Sequence, residues 1–147
     1  MSTDYKLRAA TAEDMELLYE WANDPEVRKS SFSQDPIPLE DHKNWFDALL
    51  KDDKKIQLIL ERDDTPIGQV RFHMDGDEAS IHYSIAPGER GKGYGKLLIE
   101  MASAELHKTH PGIKKILASV KPDNPASRKC FTSNGYEEKY ITYELNL

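Results

Sequence analysis

A chain of 147 residues suffices for one domain with a single hydrophobic core. Its residues are 38% hydrophobic and 31% charged, with a net charge of −6 and one cysteine, Cys130. Those figures exclude an internal disulfide and a broadly basic nucleic-acid surface, and no apolar run reaches the ~18 residues of a membrane span.

The N-terminal residues lack the apolar core of a signal peptide. The expectation is therefore a cytoplasmic protein that binds neither nucleic acid nor membrane. From the N-terminus, residues 6–10 read as a short strand, and Thr11 with Asp14 resembles a capping box that starts a helix. Met15, Leu17, Leu18, Trp21 and Ala22 form its apolar face. Asn23-Asp24-Pro25 ends it, because the residue before a proline is pushed out of the helical region. Residues 26–32 read as a further helical turn, 33–38 as a proline-containing loop, and 39–50 as a helix. That helix is expected to bury Trp45, Phe46, Leu49 and Leu50, and helical spacing assigns Trp21, Trp45 and Phe46 to the core.

A meander comes next. Ile56, Leu58 and Leu60 recur at period two across 55–62, Asp63-Asp64 makes a polar turn, and 66–74 returns as a strand. Asp75-Gly76 signals a hairpin into 79–85, where Ile81, Tyr83 and Ile85 share one face and Ser80, His82 and Ser84 the other. Residues 94–107 show helical period in Leu97, Leu98, Met101 and Ala104, with Leu106 off that stripe. A strand over 115–120 follows Pro111-Gly112; Asn124 or Pro125 then opens a helix through Ser133, which Asn134-Gly135 closes. Residues 136–147 read as one or two final strands. This order predicts a single α/β (α+β) domain over 1–147, with a mixed, mostly antiparallel sheet flanked by helices.

Between the third strand of the meander and its following helix stand four glycines, Gly88, Gly91, Gly93 and Gly95, with Arg90 and Lys92 among them. Closely spaced glycines let successive N–H groups turn inward, and a concave row of donors at a helix start suits phosphate. Arg90 and Lys92 add charge-assisted contacts, so this stretch reads as a pyrophosphate cradle on an acidic protein. It is no P-loop, since Gly95-Lys96 is followed by Leu97 and Arg90 stands where the first glycine belongs. The dinucleotide fingerprint fails too, because Gly91-x-Gly93-x-x ends on Lys96.

Arg-x-x-Gly-x-Gly over 90–95 resembles the acetyl-CoA motif of the GNAT N-acetyltransferases. Downstream, Asn124-Pro-Ala-Ser127-Arg-Lys-Cys-Phe131-Thr-Ser-Asn-Gly135-Tyr136 is similar to that family's second signature. With the element order, the resemblance covers essentially the whole chain. It implies acetyl-CoA as cosubstrate and no metal. The cradle, Arg90, Gly91, Lys92, Gly93, Tyr94 and Gly95, would take the pyrophosphate. Backbone near Ile85 and Ala86 would align the pantetheine and thioester, and Asn124 would touch the pantetheine arm.

Trp21-Ala-Asn-Asp-Pro-Glu-Val-Arg28, Ser31-Phe32, Pro36-Ile37 and His42-x-x-Trp45-Phe46 resemble a narrower group, the acetyltransferases found with pseudaminic-acid biosynthesis enzymes. That resemblance implies an acceptor at the 4-amino group of a UDP-linked deoxy-amino-sugar, with Arg28 and His42 as candidate substrate-binding residues. The ribosomal-protein Nα-acetyltransferases share a looser version, and a non-catalytic CoA-binding module is the third alternative.

Acetyl transfer to an amine needs a neutral nitrogen, a stabilised oxyanion and easy departure of the thiolate. Many relatives place a Tyr where this chain has Phe131, so Ser127 is the candidate acid, with helix capping as its competing role. A Glu that some relatives carry falls at Ala79; His82 is the candidate base, with Glu61 and His73 as alternatives through water. Cys130 is expected to be buried beside Phe131 and not to act as a nucleophile. A closed two-fold homodimer is the expected assembly, with the final strand at an edge that such contacts would cover.

Overall fold

One face of the central strands is apolar throughout, while the other is apolar at Ile59 and polar along β3 and β4, and this sets the layering. The computed structural model describes residues 3–147; the first two residues of the expected domain lie outside the described residues. The strands are β1 (Tyr5–Ala9), β2 (Lys55–Arg62), β3 (Thr65–Asp75), β4 (Glu78–Ile85) and β5 (Lys115–Leu117). They form one sheet in sequence order, antiparallel from β1 to β4 and parallel between β4 and β5. The helices are α1 (Met15–Ala22), α2 (Pro25–Ser30), α3 (Leu39–Lys51), α4 (Tyr94–Thr109) and α5 (Pro125–Thr132).

On β2, Ile56, Leu58 and Leu60 join the core built with Leu98, Ile99, Ala102 and Leu106 of α4. Ile59 points the other way, into a second core with Leu18, Trp21, Phe46 and Leu49 of α1 and α3. The expected period-two face is present, and its complement is buried as well. Helices thus cover both faces of the sheet. The turn from β2 to β3 uses Asp63 and Asp64, at φ +48° and +68°, the left-handed conformation that a tight hairpin demands and that Asp tolerates.

Thr11 and Asp14 make the expected capping box, around a 3-10 turn (Ala12–Asp14) that leads into α1. Asp14 is buried and receives two hydrogen bonds from Arg8, each 2.9 Å long. This bidentate pair ties the start of the helical layer to β1 and holds the Asp14 carboxyl below its usual range. Asp24 caps α2 by accepting from the N–H groups of Glu26 and Val27.

Several expectations need correcting. On α3 the buried stripe is His42, Phe46 and Leu49, at i, i+4 and i+7. Trp45 and Leu50 flank it and remain 38% and 40% exposed. On α4 the buried stripe is Leu98, Ile99, Ala102 and Leu106; Leu106 is 2% exposed and Ala104 faces solvent. Apolar residues encircle much of α4, so period alone left its inward face ambiguous. Strand β5 stops at Leu117, short of residue 120. Residues 136–147 form no strand. Their alternation suits one, but a strand needs a partner edge, and Tyr140, Ile141, Tyr143 and Leu145 stand at least 80% exposed. Arg128 to Glu138, 2.9 Å, is the tail's ion pair to the body. Among the described residues no helix is long and apolar enough to cross a membrane.

Candidate active site

Strands β4 and β5 pair only where Glu78, Ala79 and Ser80 meet Lys115, Ile116 and Leu117. Beyond Ser80 they part, so that edge of β4 from Ile81 to Ile85 faces a wedge with Ser119, Val120 and Lys121 across it. The wedge widens into a cleft of about 920 Å³. Its walls come from α1, α2, α3, the loop into α4 and the start of α5. A splayed sheet therefore brings the cradle, the second signature and the N-terminal third into one cavity.

At the cradle end, Gly91 and Gly93 lie at φ +77° and +85°, and a Cβ built on either would meet nothing within 4 Å. Conformation, not crowding, demands glycine there. Gly95 differs: its Cβ would lie 3.1 Å from the Cys130 sulfur, so its smallness lets α4 approach α5. The N-cap of α4 is Gly93, with no side chain capping the helix, and Gly91, Gly93, Tyr94 and Gly95 all line the cleft. A 16-residue helix thus presents an uncapped, positive end to the cavity. The residues fit a phosphate group.

The basic side chains are held ready by carboxylates. Arg90 Nη2 lies 2.7 Å from Asp24 Oδ2, linking the cradle to α2. Arg62 contacts Glu89 at 2.8 Å and donates to the Tyr94 hydroxyl at 2.9 Å, while Lys92 sits 3.4 Å from the same Glu89. Lys92 lies outside the cleft lining. Ile85 lines the cleft, but Ala86 does not; its N–H is donated to the Ile67 carbonyl at 2.9 Å and its side chain is in the second core. The Ala86 carbonyl in turn accepts from the Glu89 N–H at 3.0 Å, so both backbone groups of Ala86 are engaged within the fold.

In the second signature the cap of α5 and the Ser127 hydroxyl are separate. Asn124 is the N-cap of α5, its Oδ1 accepting from the Ser127 N–H at 3.2 Å. Capping belongs to Asn124, and the Ser127 hydroxyl is left for other work. It accepts a hydrogen bond from the Tyr83 hydroxyl at 2.9 Å. The Tyr83 ring meets Phe131 edge-on, 5.6 Å between centroids. A phenol absent at 131 is thus present beside it, reaching in from β4. Burial pushes the Tyr83 hydroxyl up to about 12, against the hydrogen bond to Ser127, so it is a protonated donor at neutral pH. Tyr83 was missed because its period-two position marked it only as core.

The opposite face of β4 forms the cleft floor with β3. His82 stands across from Arg71, and Ser84 across from Gln69. Gln57 donates to Gln69 at 2.7 Å, and Gln69 donates to the Ser84 hydroxyl at 3.0 Å. His82 is held below its usual value by desolvation, then by the charges of Arg71 and His73, so it is neutral at pH 7. The Arg71 guanidinium lies 4.9 Å from the Trp45 ring centre. Trp45, expected in the core, instead lines the cleft.

Arg28 and His42 also line the cleft, yet each already serves the fold. Arg28 donates to the carbonyls of Ala22, Ser33 and Asp35 and to the Ser31 hydroxyl, which shapes the loop after α2. His42 is buried, donating through Nε2 to the Met15 carbonyl at 3.2 Å; burial lowers its pKa and keeps it neutral. Neither Glu61 nor His73 reaches the cleft, and Glu61 is held by Arg8 at 3.1 Å. Cys130 is half-buried against Gly95. Among the described residues no three His, Cys, Asp or Glu side chains converge to hold a metal.

Comparison with known proteins agrees with this architecture. Residues 5–137 match the family model of the acetyltransferase (GNAT) domain. The chain is similar to spermidine N-acetyltransferase from Vibrio cholerae in complex with CoA and spermine, at 21% identity and TM-score 0.84, over 97% of this chain and 87% of that one. It is also similar to a domain from Methanocaldococcus jannaschii, at 23% identity and TM-score 0.83, over 97% and 94%. Aminoglycoside acetyltransferase AAC(6')-Ib in complex with coenzyme A is similar at 24% identity and TM-score 0.78, over 92% and 86%. No curated protein matches in sequence. With the family model spanning nearly the whole chain, the protein belongs to the GNAT acetyltransferases, enzymes that take an acetyl group from acetyl-CoA.

Proposed function

We propose that this enzyme acetylates the 4-amino group of a UDP-linked deoxy-amino-sugar, with the donor on the cradle and the acceptor against α1, α2, α3 and the floor of β3 and β4. The observation that carries this reading is one cleft of about 920 Å³ lined by Gly91, Gly93, Gly95, Ser127 and residues of the N-terminal helices. The segments resembling the amino-sugar acetyltransferases form its acceptor wall. A cleft of this size accommodates a sugar with a bulky substituent.

Acetyl-CoA supplies an activated acyl group as a thioester when bound. Gly91, Gly93 and the first turn of α4 hold its pyrophosphate, with Arg90 and Lys92 drawn from Asp24 and Glu89 to add charge. The Nδ2 of Asn124 is left for the pantetheine, since Oδ1 is spent on the cap. His82, neutral at pH 7, takes the proton from the acceptor ammonium, directly or through one water. Ser127 acts by hydrogen bonding. Its hydroxyl, polarised by Tyr83, donates to the departing sulfur. Full proton transfer is unfavourable, because a thiol of pKa ~8.5 is far more acidic than Tyr83. As the tetrahedral intermediate collapses the nitrogen loses its second proton to solvent, and the thiolate leaves as such and is protonated by solvent.

Thiol release from acetyl-CoA, followed with an acceptor panel, tests the reading. Turnover with a UDP-4-amino-4,6-dideoxyhexose and none with N-terminal peptides is the expected result. Turnover with peptides alone would overturn it.

A further inference from the structure

Of the six arginines in the chain, five are satisfied by other parts of it. Arg8 pairs with Asp14 and Glu61, Arg62 with Glu89, Arg90 with Asp24 and Arg128 with Glu138, while Arg28 is held by backbone carbonyls. Arg71 is the exception. Among the described residues no carboxylate lies within 4.0 Å of its nitrogens, and it donates to no described acceptor. Desolvation alone pulls its pKa down. A half-buried guanidinium without an anion is costly, and a fold keeps one where something repays it.

Its setting points to a ligand. Arg71 lies in the middle of β3 on the cleft floor, across from His82 and over the face of Trp45. The stacking holds the planar fork in place, which suits a bidentate oxyanion contact. Four permanent cations, Arg28, Arg71, Arg90 and Lys121, line the cleft against three carboxylates, Glu26, Asp41 and Glu89, on a protein of net charge −6. Of these, Glu89 is bound by Arg62 and Arg90 by Asp24, which leaves Arg28, Arg71 and Lys121 against the exposed Glu26 and Asp41. Of the cleft's cations, Arg71 alone has no hydrogen-bond or ion-pair partner among the described residues. The solved structures with spermine or kanamycin hold polycations, whose recognition calls for the opposite charge.

We infer that Arg71 anchors an anionic group, phosphate or carboxylate, carried by the acceptor amine, so that this enzyme selects negatively charged amines over polyamines. The inference rests on the acetyl transfer proposed above and narrows its acceptor by charge. Arg71 binds and orients; His82, its cross-strand neighbour, meets the amine.

The test uses four acceptors with the full-length enzyme: a UDP-4-amino-4,6-dideoxyhexose, the same amino sugar without its diphosphate, an ω-amino carboxylic acid and spermidine. The wild type is expected to favour an anionic amine over its neutral or cationic counterpart. In Arg71→Gln the KM for that acceptor rises about tenfold or more, as for loss of a charge-assisted hydrogen bond, with kcat and acetyl-CoA binding little changed. Arg71→Lys recovers part of the loss, and a retained thermal shift with acetyl-CoA shows that both variants fold. Preference for the carboxylate acceptor, lost in Arg71→Gln, would uphold the anchor and overturn the nucleotide-sugar reading. Turnover of spermidine above every anionic amine, or an unchanged KM in Arg71→Gln, would overturn the anchor while acetyl transfer itself stands.

Discussion

On the donor side of the cleft the working residues are contiguous: Arg90 to Gly95 supply glycine conformations, a helix start and two cations in six positions. On the proposed acceptor side Trp45, Arg71 and His82 come from α3, β3 and β4, and they meet through the register of Arg71 against His82 and the packing of Trp45 on Arg71. The donor site is a backbone device, and backbone devices leave local marks because φ > 0 selects glycine. The acceptor site, as proposed, is a side-chain device assembled by the sheet. It can change its selectivity without disturbing the cradle, a division suited to a fold that serves many acceptors.

The sharpest way to break this contrast is to damage the donor side alone. Gly93→Val forces a β-branched residue to φ +85° at the mouth of α4. Acetyl-CoA affinity is expected to fall by about a hundredfold or more, the scale of a few kcal/mol in a binding site, and stabilisation by acetyl-CoA in a thermal melt should vanish. Acceptor binding should persist. A normal melt shift would place the pyrophosphate elsewhere.

Next in size is the proposed base. His82→Ala is expected to lower kcat by at least about tenfold, at the low end of acid–base contributions. The pH profile carries the sign. A base works when neutral, and the pKa of His82 is held below the usual imidazole value, so activity rises with pH through a midpoint below ~6.5 and is level above it. In the variant that acid limb should disappear. If it stays, another group titrates.

The smallest effect is expected where the two sides meet. Ser127→Ala and Tyr83→Phe should each reduce kcat by roughly tenfold, and the double variant by little more than either, because they form one hydrogen-bonded unit. Additive losses would mean that the hydroxyls act separately.

Much of the fold was legible beforehand, for reasons tied to particular residues. The Thr11–Asp14 box, Pro25 behind Asp24, the Asp63-Asp64 turn and the alternation through β2 each act within a few residues. Pattern failed where an element depends on a partner. The tail has strand chemistry without a strand, and α4 is apolar around enough of its surface that its inward face follows from the sheet. The same holds for the site. Positions 90–95 and Asn124 announced themselves by glycine and capping chemistry, and Ser127 by its motif. Tyr83 and Trp45 looked like core, since a sequence does not say where a sheet will splay. Arg71 carries no signal in the sequence: what marks it is that no carboxylate among the described residues reaches it, a fact of three dimensions.

A crystal structure of the enzyme with CoA and the amino-sugar nucleotide tests the central claim most directly. Pyrophosphate oxygens are expected within about 3.2 Å of backbone N–H groups in residues 91–95. The acceptor amine should lie between Ser127 and His82, with a phosphate on Arg71. A coenzyme bound outside the wedge between β4 and β5, or an acceptor away from the β3–β4 floor, would contradict a single cleft that joins the two halves.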